Sequence, residues 1–392
     1  MKPNPGGQND PENILGRESL IERMWEVLDG RSIYMSDNRR VGKSAILDVL
    51  GVRPPAGWRV LKRDLGGVHA AAEFSTEVFR DSLELSGGAK GWLRRMRAMV
   101  GELKGVDIAG VLKLPNAAVA PWKDVLRKTF ADLQDELQES DERLVFLWDE
   151  VPYMLDNVSK REGETVAMEV LDLLRSLSQD HSRIRMVLTG SVGMHHVLKS
   201  LWRAGYGGSP LNTMEQIAPG PIGSDDAERL ALELLDGAKI ASTDRTACAR
   251  AIADATGCVP FYIHKLISRL PTGEATSPTR IRECLDREIR DPAVDWDLAH
   301  YRRRLRRYYG DDESCVLHIL DSIAEGQPIH MEDIRREVGA KCDLGDPERL
   351  RELLGLLRQD HYLDLDLEDK HSFRYSLVRD WWLSSRGLRR RA

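Results

Sequence analysis

The sequence predicts an α/β fold, a parallel sheet followed by two smaller, mostly helical domains, and three observations carry that expectation. Arg143 to Trp148 (RLVFLW) and Ile184 to Leu188 are continuous apolar runs, the pattern of strands buried on both faces of a parallel sheet. Stretches of helical period, Trp122 to Leu137 and Thr165 to Leu177, stand between the strand-like runs, as crossovers between parallel strands require. After Pro219 and Pro221 the strand signals stop and helical signals take over.

Taken in order, Ile14 to Leu28 spaces its apolar residues at a helical period and ends at Gly30, so an amphipathic helix precedes the first strand. Ser32 to Met35 (SIYM) is that strand, and a polar loop leads from it into a helix from Gly42. Trp58 to Leu65 alternates like a second strand. Gly66 to Ala120 is glycine-rich and uneven, without a clear period. Beyond Pro221, Ser224 offers an N-cap for DDAERLALELL, a further helix starts near Thr243, and Ser277 with Pro278 opens a third. From about Ser314 the order is helix, helix at Met331 to Val338, helix at Pro347 to Gln359, then the alternating runs YLDLDLED and SFRYSLV, the outline of a winged helix. The expected divisions are a disordered leader over 1–12, an α/β domain over 13–221, a helical domain over 222–295 and a winged-helix domain over 296–392.

With 392 residues the chain exceeds the size of a single core. At 42% hydrophobic and 31% charged it has the composition of a soluble globular protein, and no apolar run approaches the ~20 residues needed to cross a membrane. A net charge of −6 excludes a globally basic nucleic-acid protein while leaving local basic patches open. Cys248, Cys258, Cys284, Cys315 and Cys342 are widely spaced with no CxxC pair, which reads as reduced thiols in a cytoplasmic protein.

The strongest chemical signal is SDNRRVGKS, Ser36 to Ser44, because it lies between a predicted strand and a predicted helix, the setting of a phosphate-binding loop. Backbone N–H groups of such a loop and the positive end of the helix dipole favour a polyphosphate. Asn38, Arg39, Arg40, Val41, Gly42, Lys43, Ser44 and Ala45 are therefore the candidate nucleotide contacts, with the Lys43 ammonium on the β- and γ-phosphates of ATP and the Ser44 hydroxyl on Mg²⁺. Asp37 stands where the GxxxxGK[ST] pattern has its first glycine, and a carboxylate beside a polyphosphate is expected to weaken binding.

RLVFLWDE places Asp149 and Glu150 at the C-terminal tip of a buried strand, the edge of a parallel sheet where ligands bind. Asp149 is the candidate second holder of Mg²⁺, and Glu150 the candidate base that orients or deprotonates the attacking water. IRMVLTGS ends in Thr189, Gly190 and Ser191, of which Thr189 and Ser191 are candidates for sensing the γ-phosphate or the water. Arg183 and Arg185, near the start of that strand, are candidate arginine fingers set against an ordinary solvated reading. His195 with His196 points in two directions on a helix and does not make a metal site. YRRRLRRYY, Tyr301 to Tyr309, is the best nucleic-acid candidate, against a solvated helix face.

In combination these motifs resemble a STAND-type P-loop ATPase, in particular the archaeal-ATPase group related to the origin-recognition initiators within the AAA-type superfamily. ILGRESLIERM resembles the entry motif of that family, which implies that Gly16 and Arg17 lie near the adenine. RRVGKS resembles its Walker A segment, FLWDEVPYML its Walker B segment and VLTGS its sensor strand. TGCVPFYI resembles the lid motif, implying Pro260 near the base, and SFRYSLVRDWW resembles the end of its winged-helix domain. Asp37 departs from the family pattern, as does SPLNTM from Ser209, where glycine and arginine are common.

The resemblance implies a P-loop parallel-sheet ATPase core with a helical lid and a winged helix. The expected function is an ATP- and Mg²⁺-dependent switch, passing between ATP and ADP states and acting on a protein effector or through self-assembly, with no membrane partner. Two rival readings are a DNA-binding initiator or loader ATPase and a scaffold that has lost nucleotide chemistry. The acidic hairpin YLDLDLED argues against DNA as the partner of the last domain, because like charges would meet at the phosphates.

Overall fold

A computed structural model of the chain describes residues 1–7, 11, 14–85, 122–190, 194, 197–198, 210–291, 296–342 and 346–391. The chain divides into two compact units, one of Met1–Leu20, Asp37–Ile46 and Ala218–Ala392, the other of Ile21–Ser36 and Leu47–Ile217.

The second of these is built on five parallel strands, β1 (Ile33–Ser36), β2 (Trp58–Asp64), β3 (Arg143–Asp149), β4 (Ile184–Gly190) and β5 (Glu215–Ile217), in the order β2-β3-β4-β1-β5. Strand β1 therefore sits between β4 and β5, the reversal of direction at which α/β sheets place their ligands. β3 and β4 are buried almost throughout, which is why they read as unbroken apolar runs, whereas the edge strand β2 is partly exposed and alternates. β5 has only three residues, too few to leave a periodic signal in the sequence.

Helices α1 (Glu18–Gly30), α2 (Lys43–Val52), α3 (Ala71–Leu85), α4 (Trp122–Ser140), α5 (Val151–Glu162) and α6 (Glu164–Asp180) occur along the same stretch of chain. Phe146 and Trp148, two apart on β3, share one face of the sheet and stack at 4.9 Å. Phe130 of α4 stacks on Phe146 at 5.4 Å, and Phe74 of α3 meets Trp148 edge-on at 5.2 Å. All four rings are buried, and truncating one to alanine would cost about 3–5 kcal/mol. The predicted helix from Ile14 starts only at Glu18, because Gly16 has a positive φ of 72° that a helix cannot contain.

The other unit holds α7 (Ser224–Gly237), α8 (Arg245–Ala255), α9 (Pro260–Arg269), α10 (Pro278–Arg290), α11 (Ala299–Tyr309), α12 (Glu313–Gly326), β6 (Ile329–His330), α13 (Met331–Val338), α14 (Pro347–Gln359), β7 (Leu363–Leu365), β8 (Lys370–Phe373) and α15 (Ser376–Arg386). Its strands form an antiparallel sheet in the order β6-β8-β7. Ser277 caps α10 by accepting from the Arg280 N–H, as its sequence setting implies. Ser224 does not cap α7: it is the first helical residue, and Gly223 takes the cap position without a side chain to offer. SFRYSLV is strand only as far as Phe373, after which the chain turns into α15. There Trp382 is buried and donates its indole N–H to Asp321 Oδ1 at 2.9 Å. The polar opening expected to be a disordered leader is ordered over 1–7, where the Asn4 N–H donates to His264 Nδ1 at 3.0 Å.

Candidate functional site

Loop 37–42 starts one peptide bond beyond the end of β1 and closes into α2, whose first helical bond runs from the Ile46 N–H to Gly42 O at 3.0 Å. The amides of Lys43, Ser44 and Ala45 thus precede the helical ladder and stand at its positive end, the arrangement that favours an anion. Gly42 takes φ 97°, which only glycine adopts cheaply. Arg40 takes φ 71°, at a cost of roughly 1–2 kcal/mol for an L residue. Its side chain shows what offsets that: Nε donates to Asp297 at 2.7 Å, and the guanidinium lies 4.5 Å over the Phe261 ring.

Lys43 is 7% exposed and donates from Nζ to two carbonyls of its own loop, Asp37 O at 2.6 Å and Asn38 O at 2.7 Å. An ammonium held at the head of a helix by carbonyls, with no carboxylate among these two acceptors, is a charge that an incoming phosphate can recruit. Arg17, 4% exposed, spends three hydrogen bonds on backbone oxygens: Val41 in the loop at 2.8 Å, Pro219 at 2.8 Å and Gly220 at 2.6 Å. Burial lowers the pKa of its guanidinium, and the nearby Asp37 carboxylate opposes that shift. Gly16 beside it is required for space as well as torsion, since a Cβ there would lie 2.8 Å from Asp226 Cβ.

Asp37 proves to be an organising residue of the loop. Its Oδ1 accepts from the Asn38 N–H at 2.7 Å and from the Tyr375 hydroxyl at 3.2 Å, and its Oδ2 accepts from the Gly220 N–H at 2.6 Å. Arg374 Nη2 lies 3.6 Å from Oδ2. Asn38 continues the link, donating from Nδ2 to His361 O at 2.8 Å and accepting from Arg304 Nη2 at 3.2 Å. The Arg304 guanidinium lies over the rings of Tyr301 and Tyr362, at 5.1 and 5.2 Å. Burial holds the His361 imidazole down to about 4, although Asp37 pulls the other way, and burial also raises the Tyr375 hydroxyl. None of these C-terminal partners is a residue the sequence singles out as part of a phosphate site. The one signal that pointed here was Asp37, a carboxylate where glycine is usual.

In the sheet unit, Asp149 closes β3 opposite Asp64 of β2 and is 8% exposed, with Oδ1 accepting from the Glu150 N–H at 2.9 Å. Glu150 has φ 57° and no side-chain capping bond, and it is the N-cap of α5. The left-handed backbone turns the chain from the tip of β3 into α5. Thr189 is fully buried at the end of β4, opposite Met35 of β1, and its Oγ1 has no hydrogen-bond partner among the described residues. Gly190 pairs with Ser36, and a Cβ at Gly190 would lie 2.5 Å from Pro152 Cδ. Because all five strands are parallel, Ser36, Asp149 and Thr189 lie at the C-terminal edge of the sheet.

Arg183 and Arg185 lie at the opposite end of β4, which excludes them as fingers on the C-terminal edge of their own sheet. Arg183 pairs with Asp141 and donates to Glu142 O, while Arg185 donates to the carbonyls of Leu28, Asp29, His181 and Ile184. Pro260 is the first residue of α9, next to the Phe261 that Arg40 covers. In α11, Tyr301, Leu305 and Tyr309 are buried one turn apart, so two of the three tyrosines of that basic run serve the core, while Tyr308 is half-buried with the Arg307 guanidinium over its ring. Ser191, His195 and His196 lie outside the described residues. Among the described residues no group of three His, Cys, Asp or Glu gathers as a metal site, and no helix is long and apolar enough to cross a membrane.

No protein-family model matches the chain. No curated protein matches it either. Solved structures do: a Walker-type ATPase of Pyrococcus abyssi is similar at a TM-score of 0.62 and 18% identity, covering 95% of this chain and 96% of that one. The Aeropyrum pernix ORC2 protein, solved with ADPNP and ADP, follows at 0.49 and 13%, covering 96% and 97%. Its ORC1 protein in complex with DNA gives 0.38 and 11%, over 95% and 93%. The last two are too distant to bear on this chain. The first shows a shared fold along nearly the whole length, a parallel α/β sheet with a helical C-terminal part.

Proposed function

We propose that the chain binds ATP through loop 37–44 and uses it as a conformational switch, hydrolysing it slowly or on contact with a partner. The observation that carries this reading is the Lys43 ammonium, buried at the head of α2 and held by carbonyls of its own loop. Lys43 would bind the β- and γ-phosphates, and the amides of the first turn of α2 would donate to the β-phosphate. Ser44 and Asp149 would hold Mg²⁺, which supplies charge neutralisation at the phosphoryl oxygens. Glu150 would accept a proton from the attacking water, and the Thr189 hydroxyl, which has no hydrogen-bond partner among the described residues, would position that water or the γ-phosphate. Gly16, Arg17 and Pro260 would border the base, Arg17 doing so through the carbonyls it holds in place.

The same reading makes the chain a member of the STAND-type ATPases, with residues 222–295 as the lid and 296–392 as a winged helix. Its output would be a contact with a protein effector or a second copy. Five free cysteines are in keeping with a cytoplasmic setting. Equilibrium binding of a fluorescent ATP analogue with Mg²⁺, followed by phosphate release in the same preparation, tests the proposal. Saturable binding below about 100 μM, within the usual range of substrate affinities, is expected; no binding at millimolar nucleotide would leave a scaffold as the correct reading.

A further inference from the structure

We infer that Asp37 is a latch: in place of a loop glycine, its carboxylate ties the phosphate loop to the C-terminal residues 361–375, so that nucleotide gains the loop only when this tie is released. The inference rests on the loop being the nucleotide site proposed above. A glycine at position 37 would make none of the side-chain contacts seen here. The carboxylate instead joins three separate stretches, through the Gly220 N–H at 2.6 Å, the Tyr375 hydroxyl at 3.2 Å and the Asn38 N–H at 2.7 Å, with Arg374 at 3.6 Å.

Each partner is placed by its own element. Tyr375 is the N-cap residue of α15, and Arg374 precedes it at the end of the hairpin, where Nη1 also lies 3.1 Å from His361 Nδ1. His361, with φ 59°, is in the turn before β7 and receives the Asn38 side chain on its carbonyl. The C-terminal residues thus hold both Asp37 and Asn38. Those two residues also supply the carbonyls that accept the Lys43 ammonium. Latch and phosphate grip therefore share one piece of backbone: pulling Asp37 and Asn38 toward residues 361–375 fixes the carbonyls on which Lys43 is held, and a phosphate that recruits Lys43 loosens them. A buried carboxylate without its hydroxyl and amide donors would be costly, so the tie is all-or-none rather than gradual.

The test uses the full chain and two variants, Asp37→Gly and Tyr375→Phe, the second keeping the ring so that the core around α15 stays filled. Hydrogen–deuterium exchange of nucleotide-free protein is read in peptides covering 37–46 and 361–375, and stopped-flow association of a fluorescent ATP analogue is read alongside. Both variants should exchange faster in both peptides and take up nucleotide about tenfold to a hundredfold faster, as expected when a hydrogen bond to a charged group is lost from the closed state. Exchange unchanged in both variants would overturn the latch, and so would faster exchange without faster uptake. If no form binds nucleotide, the wild type included, the nucleotide reading of the loop fails, and the exchange data alone decide whether Asp37 ties the loop down.

Discussion

The Tyr375 hydroxyl donates to Asp37 Oδ1 at 3.2 Å, joining residues 338 positions apart. That bond puts the residue that caps α15 on the loop that follows the first strand. It also changes what the carboxylate at position 37 means. Read from the sequence, Asp37 is a like charge beside a polyphosphate; in the structure the charge is already met by a backbone amide on each oxygen, a hydroxyl and a nearby guanidinium.

Glu150→Gln should retain ATP binding and slow hydrolysis by about 10²- to 10⁴-fold, because an amide can orient water but cannot take its proton. The left-handed backbone at Glu150 is equally open to glutamine, so the fold should not change. Phosphate release and nucleotide affinity measured on one preparation check this. Turnover equal to wild type would move the base elsewhere.

Gly16→Ala should destabilise the protein by roughly 1–3 kcal/mol through its positive φ alone, and the approach of Asp226 Cβ to 2.8 Å should add to that. Urea denaturation reads the change as a lower midpoint at constant slope. A loss too small to shift the midpoint would mean that the turn into α1 relaxes freely.

Acid should weaken the fold. Burial holds His264 and His361 down to about 4 and His300 to about 2, from an ordinary 6.5. The unfolded chain therefore binds more protons than the folded one below about pH 6.5, and stability, complete above that value, falls as pH drops from 6.5 toward 4 and below. The Tm should decline between pH 7 and 5, and His264→Gln should make the decline shallower. A flat profile would contradict the buried, neutral state of these imidazoles.

Duplex DNA should bind weakly at about 150 mM salt, near the physiological value. The C-terminal residues from Trp296 onward carry slightly more acids than bases, and the hairpin β7–β8 holds Asp364, Asp366, Glu368 and Asp369. Arg304 is engaged by Asn38, Tyr301 and Tyr362, so the variants that test the DNA reading are Arg303→Ala and Arg306→Ala on the exposed side of α11. Fluorescence anisotropy should show little change in either. Submicromolar binding lost in both would favour the DNA-bound ATPase.

The legible part of the molecule was the part governed by local rules. β3 and β4 announced themselves as unbroken apolar runs, and the α10 cap as Ser277 before Pro278, because burial on both faces and helix capping act over a few residues. The GKS segment and the DE pair stood out for the same reason: phosphate binding and strand-tip carboxylates need fixed residue types at short spacing. Ser224 misled because a serine at the head of a helix can sit in the first turn as easily as at the cap. The partners of Asp37 and Asn38 were out of reach. Tyr375, Arg374, His361 and Arg304 belong to hairpin and helix elements whose own periodicity accounts for them, and only the folded backbone brings them to the loop. The resemblance places Arg17 near the adenine, and its three bonds to backbone carbonyls have no trace in sequence spacing.

The central claim is that Lys43 grips a nucleotide, and calorimetric titration of Mg²⁺-ATP into wild-type protein and Lys43→Ala tests it most directly. The wild type should bind with one site per chain, and the variant should bind about a hundredfold more weakly or not at all, since it loses charge-assisted hydrogen bonds to two phosphates. Equal affinity in the two proteins, with unchanged circular dichroism, would contradict the claim and show that loop 37–44 is not a phosphate site.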